Sequence, residues 1–270
     1  MTTTVEAPTT APVLAAENIT VRFGGLVALS EVRLEVPANT MVGLIGPNGA
    51  GKSTLLGVLS GLIRPQSGRV FLESAEVTGE PVHKRARRGL ARTFQQVELF
   101  AGLTVGEHLM IAWRNRFHPA RQWRDFLDGR AWRGPDPNEW ARVDYLLGRL
   151  GLQEVSDEPV TGLPLGLCRL VEVGRALASS PKIVLLDEPF SGLDSAESEQ
   201  LAATLTDLMA SEKVAFLLVD HDVNTVLSRA SRVIAVDAGR VIAAGTPAQI
   251  RADQQVRTAY LGDDVGEGLE

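Results

Sequence analysis

The chain has 270 residues, a formal net charge of −6 and 44% hydrophobic residues, so it can bury a substantial core without covalent staples. The acidic balance argues against nonspecific binding to nucleic acid or an anionic membrane surface, both of which attract basic proteins. One cysteine, Cys168, excludes an internal disulfide and fits a reducing compartment.

Residues 1–13 are rich in Thr, Ala and Pro, with neither a basic start nor an apolar centre, and read as a disordered tail rather than a signal peptide. No apolar run approaches the ~20 residues that a membrane helix needs, so a membrane role would have to come through a partner. Ile19–Phe23 reads as a strand ending at Gly24-Gly25. The alternation of Val32, Leu34 and Val36 predicts a second strand exposed on one face, and Pro37-Ala38-Asn39 turns the chain into a short buried strand, Met41–Ile45.

After that strand comes Gly46-Pro47-Asn48-Gly49-Ala50-Gly51-Lys52-Ser53-Thr54, which fits the G-x-x-x-x-G-K-[ST] phosphate-binding loop. Glycines let backbone N–H groups close around phosphate oxygens, Lys52 can reach the β- and γ-phosphates, and the Ser53 hydroxyl suits a magnesium ligand. Leu55, Val58, Leu59 and Leu62 have helical spacing, so a helix starting near Lys52 presents its positive end to the anion. A strand before and a helix after are the context the loop requires, and a glycine-rich turn with a chance lysine does not supply it. The loop implies a nucleotide and Mg2+; which nucleotide it does not say.

Arg64–Gly68 is a turn and Arg69–Leu72 a further strand, so the opening section reads as an antiparallel sheet beside a parallel α/β core. His83–Arg88 is a basic run on a short helix, either an anion or nucleic-acid patch or, in keeping with the acidic total, a solvated face. Arg92–Gln96 follows as a strand entering a loop. Residues 105–178 read as mainly helical, with an apolar stripe of Trp140, Val143, Leu146, Leu147 and Leu150. Trp113, Trp123, Trp132 and Trp140, with Phe117, Phe126 and five arginines between Arg121 and Arg142, mark either a protein interface or the core of a small helical subdomain.

From residue 181 the α/β pattern resumes. Ile183–Leu186 is a buried strand ending in Asp187-Glu188, where Asp187 would orient the magnesium shell and Glu188 would polarise the attacking water as general base. Leu201, Leu205 and Leu208 mark a helix, Val214–Val219 a strand, and Val233–Val236 and Val241–Ala244 flank an Asp-Ala-Gly turn. Thr246-Pro247-Ala248-Gln249 has the form of a capping box with proline in the first turn, and the C-terminal end is acidic.

The order Gly46–Thr54, Gln95, Leu163–Arg169, Asp187-Glu188, Ser191-Gly192-Leu193-Asp194 and His221 resembles an ABC-type ATPase cassette across nearly the whole chain. The resemblance implies an α/β cassette with a mixed P-loop core, an antiparallel β subdomain and a helical subdomain over about residues 97–178. It implies one domain over 14–262, flanked by a tail at 1–13 and an acidic tail at 263–270. Two cassettes of that family sandwich two ATP molecules, each site built from one subunit's phosphate loop and the other's signature loop. By the resemblance Phe23 would stack on adenine, or else pack in the core. Gln95 would meet the magnesium ion and water and sense the membrane partner. Asp194 would communicate between the two sites, and His221 would bond the γ-phosphate. His83, His108 and His118 read as structural.

The signature departs from the family's Leu-Ser-x-Gly-Gln: it is Leu163-Pro164-Leu165-Gly166-Leu167. Pro164 has no side-chain donor, whereas Gly166 still permits backbone approach to phosphate. The composite site this subunit completes for a partner is thus expected to be weak, which favours a heteromeric pair of ATPases, with a homodimer as the alternative. Cys168 opens the signature helix, where a thiol pKa can fall, or else is a buried structural residue.

Phe23–Leu29, Arg92-Thr93-Phe94-Gln95 and Ala259-Tyr260-Leu261-Gly262 are similar to ATP-binding subunits of branched-chain amino acid importers. The resemblance implies membrane permease subunits, a second ATPase, an extracytoplasmic binding protein acting indirectly, no nucleic acid, and a peripheral place on the cytoplasmic face of the membrane. Transporters of urea, amides or lipid-linked material are the alternative, and a non-transport ABC ATPase a third reading.

Overall fold

The computed structural model describes residues 12–117 and 137–261. Trp123, Trp132, Phe126, His118 and four of the clustered arginines lie outside the described residues, as do nearly all of both expected tails.

Two sheets organise the chain. β1 (Pro12–Phe23) and β2 (Leu26–Pro37) form a long antiparallel hairpin, extended by β4 (Ser67–Leu72) and β5 (Ala75–Glu76) in the order β2-β1-β4-β5. β2 buries Val32, Leu34 and Val36 and exposes the residues between them, as the alternation predicts. The first strand is longer than its sequence suggests. It begins at Pro12, inside the stretch expected to be tail, because Val13 and Leu14 are buried against the second sheet's side of the hairpin.

The second sheet has the order β10-β9-β3-β8-β7-β6, with β3 (Met41–Ile45), β6 (Leu90–Arg92), β7 (Ile183–Asp187), β8 (Ala215–Val219) and β9 (Arg232–Asp237) mutually parallel. Only β10 (Arg240–Gly245) runs antiparallel. β3 and β8, and β7 up to Leu186, carry no polar side chain because they are buried on both faces. Their alternating side chains feed two cores. Val42, Leu44, Ile183, Leu185 and Leu217 pack with the antiparallel sheet and α1 (Lys52–Ser60). Ile45, Val184, Leu186, Phe216 and Leu218 pack with helices on the other face.

Those helices include α3 (Val105–Phe117), α4 (Pro137–Leu150), α5 (Leu165–Ala178) and α6 (Ser195–Glu212). The stripe Val143, Leu146, Leu147 and Leu150 is buried, and Trp113 and Trp140, partly buried, pack against the same core of the helical layer. Two local expectations hold in part. α1 stops at Ser60, leaving Leu62 exposed. The basic run forms α2 (Val82–Arg88), and His83, Lys84, Arg87 and Arg88 are exposed on it, but Arg85 is among the largest fully buried side chains, so that one residue departs from a solvated face. α7 (Val223–Arg229), α8 (Pro247–Ala252) and α9 (Gln254–Leu261) complete the chain, α8 opening with the predicted Thr246/Gln249 capping box.

Candidate active site

The parallel strands end together, and the residues with chemical potential sit on the loops that follow. After β3 the chain must leave the sheet at Gly46, where a Cβ would stand 2.2 Å from the Val236 carbonyl oxygen, so no larger residue fits. It enters α1 through Gly51 at φ 104°, where a Cβ would lie 2.7 Å from the Ala28 carbonyl oxygen. The loop is tied down by Ala50 N–H to Pro47 O at 3.2 Å and Gly239 N–H to Ala50 O at 3.0 Å. α1 has no side-chain cap, which leaves its first N–H groups for an anion. Lys52 donates to the Gly46 carbonyl and, at 3.0 Å, to that of Pro47, so its ammonium is held at the loop's rim. Burial lowers its pKa, opposed by the charges of Glu188 and Asp187, which places both carboxylates within electrostatic reach. Asn48, Gly49 and Ser53 are exposed.

Asp187 is the buried last residue of β7. Its backbone N–H donates to Thr93 Oγ1 at 3.3 Å and its Oδ2 pairs with Arg92 at 2.9 Å. Glu188 follows at φ 49°, a left-handed conformation that costs a non-glycine residue of order 1–3 kcal/mol. It is held there by its N–H bond to Val219 O at 2.7 Å. This turn lifts the Glu188 carboxylate off the strand to where Gln95 Nε2 donates to its Oε2 at 2.8 Å. His221, beyond β8, places Nδ1 3.9 Å from the same oxygen and 3.2 Å from Asp220 Oδ1. Asp220 is buried, and burial raises its carboxyl pKa.

The phosphate loop, Gln95, Asp187, Glu188 and His221 are thus brought to one edge of the sheet. Gln95 is the useful case. With Nε2 on Glu188, only its amide oxygen could serve as a metal ligand. Among the described residues no group of three or more His, Cys, Asp or Glu side chains could hold a metal ion. Residues that could hold a magnesium ion beside nucleotide phosphates are Ser53 through its hydroxyl, Gln95 through its amide oxygen and, through water, Asp187.

The other predicted residues form a second group. Asp194 caps α6: its side chain accepts from Glu197 N–H at 2.8 Å while Glu197 Oε2 accepts from Asp194 N–H at 3.1 Å. Gly166 abuts that same Glu197, whose Oε1 would lie 2.7 Å from a Cβ there. Pro164 is the uncapped N-cap of α5, Leu165 is 40% exposed and Leu167 packs on the core. Cys168 is half-buried, and burial raises its thiol pKa, opposite to the fall that a helix start can bring. Phe23, at the hairpin tip, is 52% exposed, available for stacking and not a core residue.

Sequence reasoning missed Arg92, Thr93, Asp220, Arg169 and Glu172. Arg169, buried on α5, donates to Gln95 O at 2.8 Å and Ser191 O at 3.4 Å and pairs with Glu172 at 3.2 Å, so it binds the signature helix to the Gln95 loop. Arg92 and Thr93 lie in the segment that marked the family, but their role depends on β6 running beside β7, which only the sheet order reveals.

Known proteins resemble this chain in sequence and fold over most of its length. The model of the ABC transporter family matches residues 29–191, and that of the branched-chain amino acid ATP-binding cassette transporter matches residues 240–266. The chain is 36% identical over 256 residues to the high-affinity branched-chain amino acid transport ATP-binding protein BraF of Pseudomonas aeruginosa, covering 93% of this chain and 98% of that one. It is 35% identical over 251 residues to the lipopolysaccharide export system ATP-binding protein LptB of Haemophilus influenzae, with the same coverages of 93% and 98%. The crystal structure of the ADP conformation of an ATP-binding cassette of an ABC transporter superposes with a TM-score of 0.81 at 29% identity, over 94% of this chain and 100% of that one.

Proposed function

The chain belongs to the ABC transporter ATP-binding family, and we propose that this ATPase powers an importer of branched-chain or related amino acids. One observation carries the hydrolytic assignment: the Glu188 carboxylate, held off its strand by a left-handed turn, takes a hydrogen bond from Gln95 at 2.8 Å beside the Lys52 loop. In this reading the Gly46–Thr54 loop and α1 bind the phosphates and Lys52 neutralises the β- and γ-oxygens. Phe23 stacks on adenine. Ser53, Gln95 and, through water, Asp187 would hold a magnesium ion, which would supply screening of the phosphate charge. Glu188 takes the proton of the attacking water, Gln95 orients that carboxylate, and His221 bonds the γ-phosphate. Removing the general base while keeping shape tests this. Glu188→Gln is expected to lower turnover by at least ~100-fold and leave ATP binding intact; unchanged turnover would remove Glu188 from the role.

The cargo assignment rests on the match at residues 240–266 to the branched-chain amino acid cassette model. No described helix is long and apolar enough to cross a membrane. Likeness to the transport ATP-binding proteins supports permease subunits as partners, with this chain peripheral on their cytoplasmic face. A second, different ATPase completes the pair, because the apolar signature around Pro164 makes a self-pair with two weak sites. An extracytoplasmic binding protein delivers cargo. Likeness to the lipopolysaccharide export protein keeps lipid-linked cargo as the second reading. In vesicles holding the co-expressed permeases, leucine-loaded binding protein is expected to stimulate ATP hydrolysis; stimulation by a lipid-linked saccharide instead would select the second reading.

A further inference from the structure

Arg92, the last residue of β6, reaches three parts of the site at once. Its guanidinium donates to Asp187 Oδ2 at 2.9 Å and to Ser60 Oγ, at the end of α1, at 3.2 Å, and lies over the Phe94 ring at 5.5 Å. The ion pair is largely shielded, with side-chain exposures of 13% and 11%. Ser60 Oγ spends its own proton on the Leu56 carbonyl at 2.8 Å, so it meets Arg92 as an acceptor. The next residue, Thr93, accepts the Asp187 backbone N–H, so Arg92 and Thr93 hold both the side chain and the main chain of Asp187. An aspartate's terminal torsion is otherwise broad, and burial alone does not fix which oxygen faces which way.

We propose that Arg92 is a positioning residue acting through Asp187: it engages Oδ2 and thereby reserves Oδ1 for the water shell of the nucleotide-borne magnesium ion. The inference rests on the ATPase reading above. Arg92 itself touches neither nucleotide nor metal. It sets the orientation of the carboxylate and links it to α1 and the Gln95 loop, so the three segments keep one register. A lysine could supply the charge but not the fork that spans Asp187 and Ser60.

The experiment is a Mg2+ titration of the fluorescent analogue mant-ATP bound to the full-length protein. Arg92→Met is expected to raise the half-saturating Mg2+ concentration about tenfold, the scale of one charge-assisted hydrogen bond, with affinity in EDTA within about twofold of the parent. Arg92→Lys, which keeps the charge and loses the fork, should recover only part of the shift. Asp187→Asn should show a similar shift, and adding Arg92→Met to it should increase that shift no further, since one residue acts through the other. An unchanged or lowered Mg2+ requirement in Arg92→Met, an equal loss of affinity in EDTA, or additive effects in the double variant would overturn the proposal. Arg92→Gln carries the same test if thermal unfolding shows Arg92→Met to be misfolded. If the parent protein binds no mant-ATP at all, the ATPase reading fails. If it binds in a Mg2+-dependent way that Arg92→Met leaves untouched, only the role of Arg92 fails.

Discussion

Arg85 shows how much a single residue can hide from its sequence. Within a run of basic residues it alone turns inward, where Nη1 donates to the carbonyls of Val58 and Leu59 at 2.6 and 2.7 Å, Nη2 to Thr78 O at 2.9 Å and Nε to Glu80 O at 3.0 Å. Two of those carbonyls belong to the last turn of α1, whose C-terminal acceptors have no partner within the helix. A cation there also complements the helix dipole whose other end serves the phosphate loop. Burial lowers the Arg85 pKa, and Glu80 opposes it. Arg85→Met is therefore expected to leave several buried acceptors unpaired and to cost about 3 kcal/mol or more in urea denaturation, with Arg85→Lys little better. A loss below about 1 kcal/mol would mean that water replaces the guanidinium. None of this is legible locally, because His83, Lys84 and Arg87 look the same in sequence and remain exposed. Glu188, by contrast, was legible as chemistry from its place after an apolar strand, though not as a left-handed turn.

Elements were legible where periodicity was strong. The doubly buried strands announce themselves as unbroken apolar runs, and Thr246–Gln249 as a cap. What the periodicity did not give was their ends: Pro12 joins β1 through long-range pairing with Pro37, and α1 stops before Leu62. The signature helix α5 falls between. Its sequence shows that Pro164 lacks a hydroxyl, and the structure adds that Pro164 is an N-cap without a side-chain bond, at φ −53° and ψ 148°, an extended backbone that serine also adopts. Pro164→Ser therefore fits without strain and supplies an oxygen to the helix start. We expect it to raise the ATPase rate of the assembled complex by about tenfold, the scale of one charge-assisted hydrogen bond to phosphate. It should also add about 1 kcal/mol of cap to the isolated subunit. A rate that does not move while the isolated subunit is stabilised would make the proline catalytically neutral.

At the scale of the whole molecule, one sheet is shared by two cores, and the site sits where its parallel strands end. The loops there lean on buried polar groups in the helical layer, which gives global stability a pH dependence of mixed sign. His108 on α3 is buried, with Nε2 accepting from Phe100 N–H at 2.9 Å and Nδ1 2.7 Å from Thr104 O, an arrangement that needs the neutral ring. Burial lowers its pKa, so the folded state binds its proton less readily than the unfolded chain does. Its contribution is complete above the ordinary histidine range and is lost as pH falls through that range toward the folded pKa, at no more than about 1.4 kcal/mol per pH unit. Glu172 and Asp220 act oppositely. Burial raises both pKa values, so each contributes stability in acid that is lost as pH rises through its folded pKa. The raw profile therefore mixes the three, and the difference from His108→Gln isolates one. Urea denaturation of both proteins from pH 8 to pH 5 should show the parent losing stability faster than the variant on the acid side. Parallel profiles would mean that the Phe100–Thr104 turn survives protonation of His108, so that the loop leading from Gln95 into the helical layer is braced by its backbone and not by this ring.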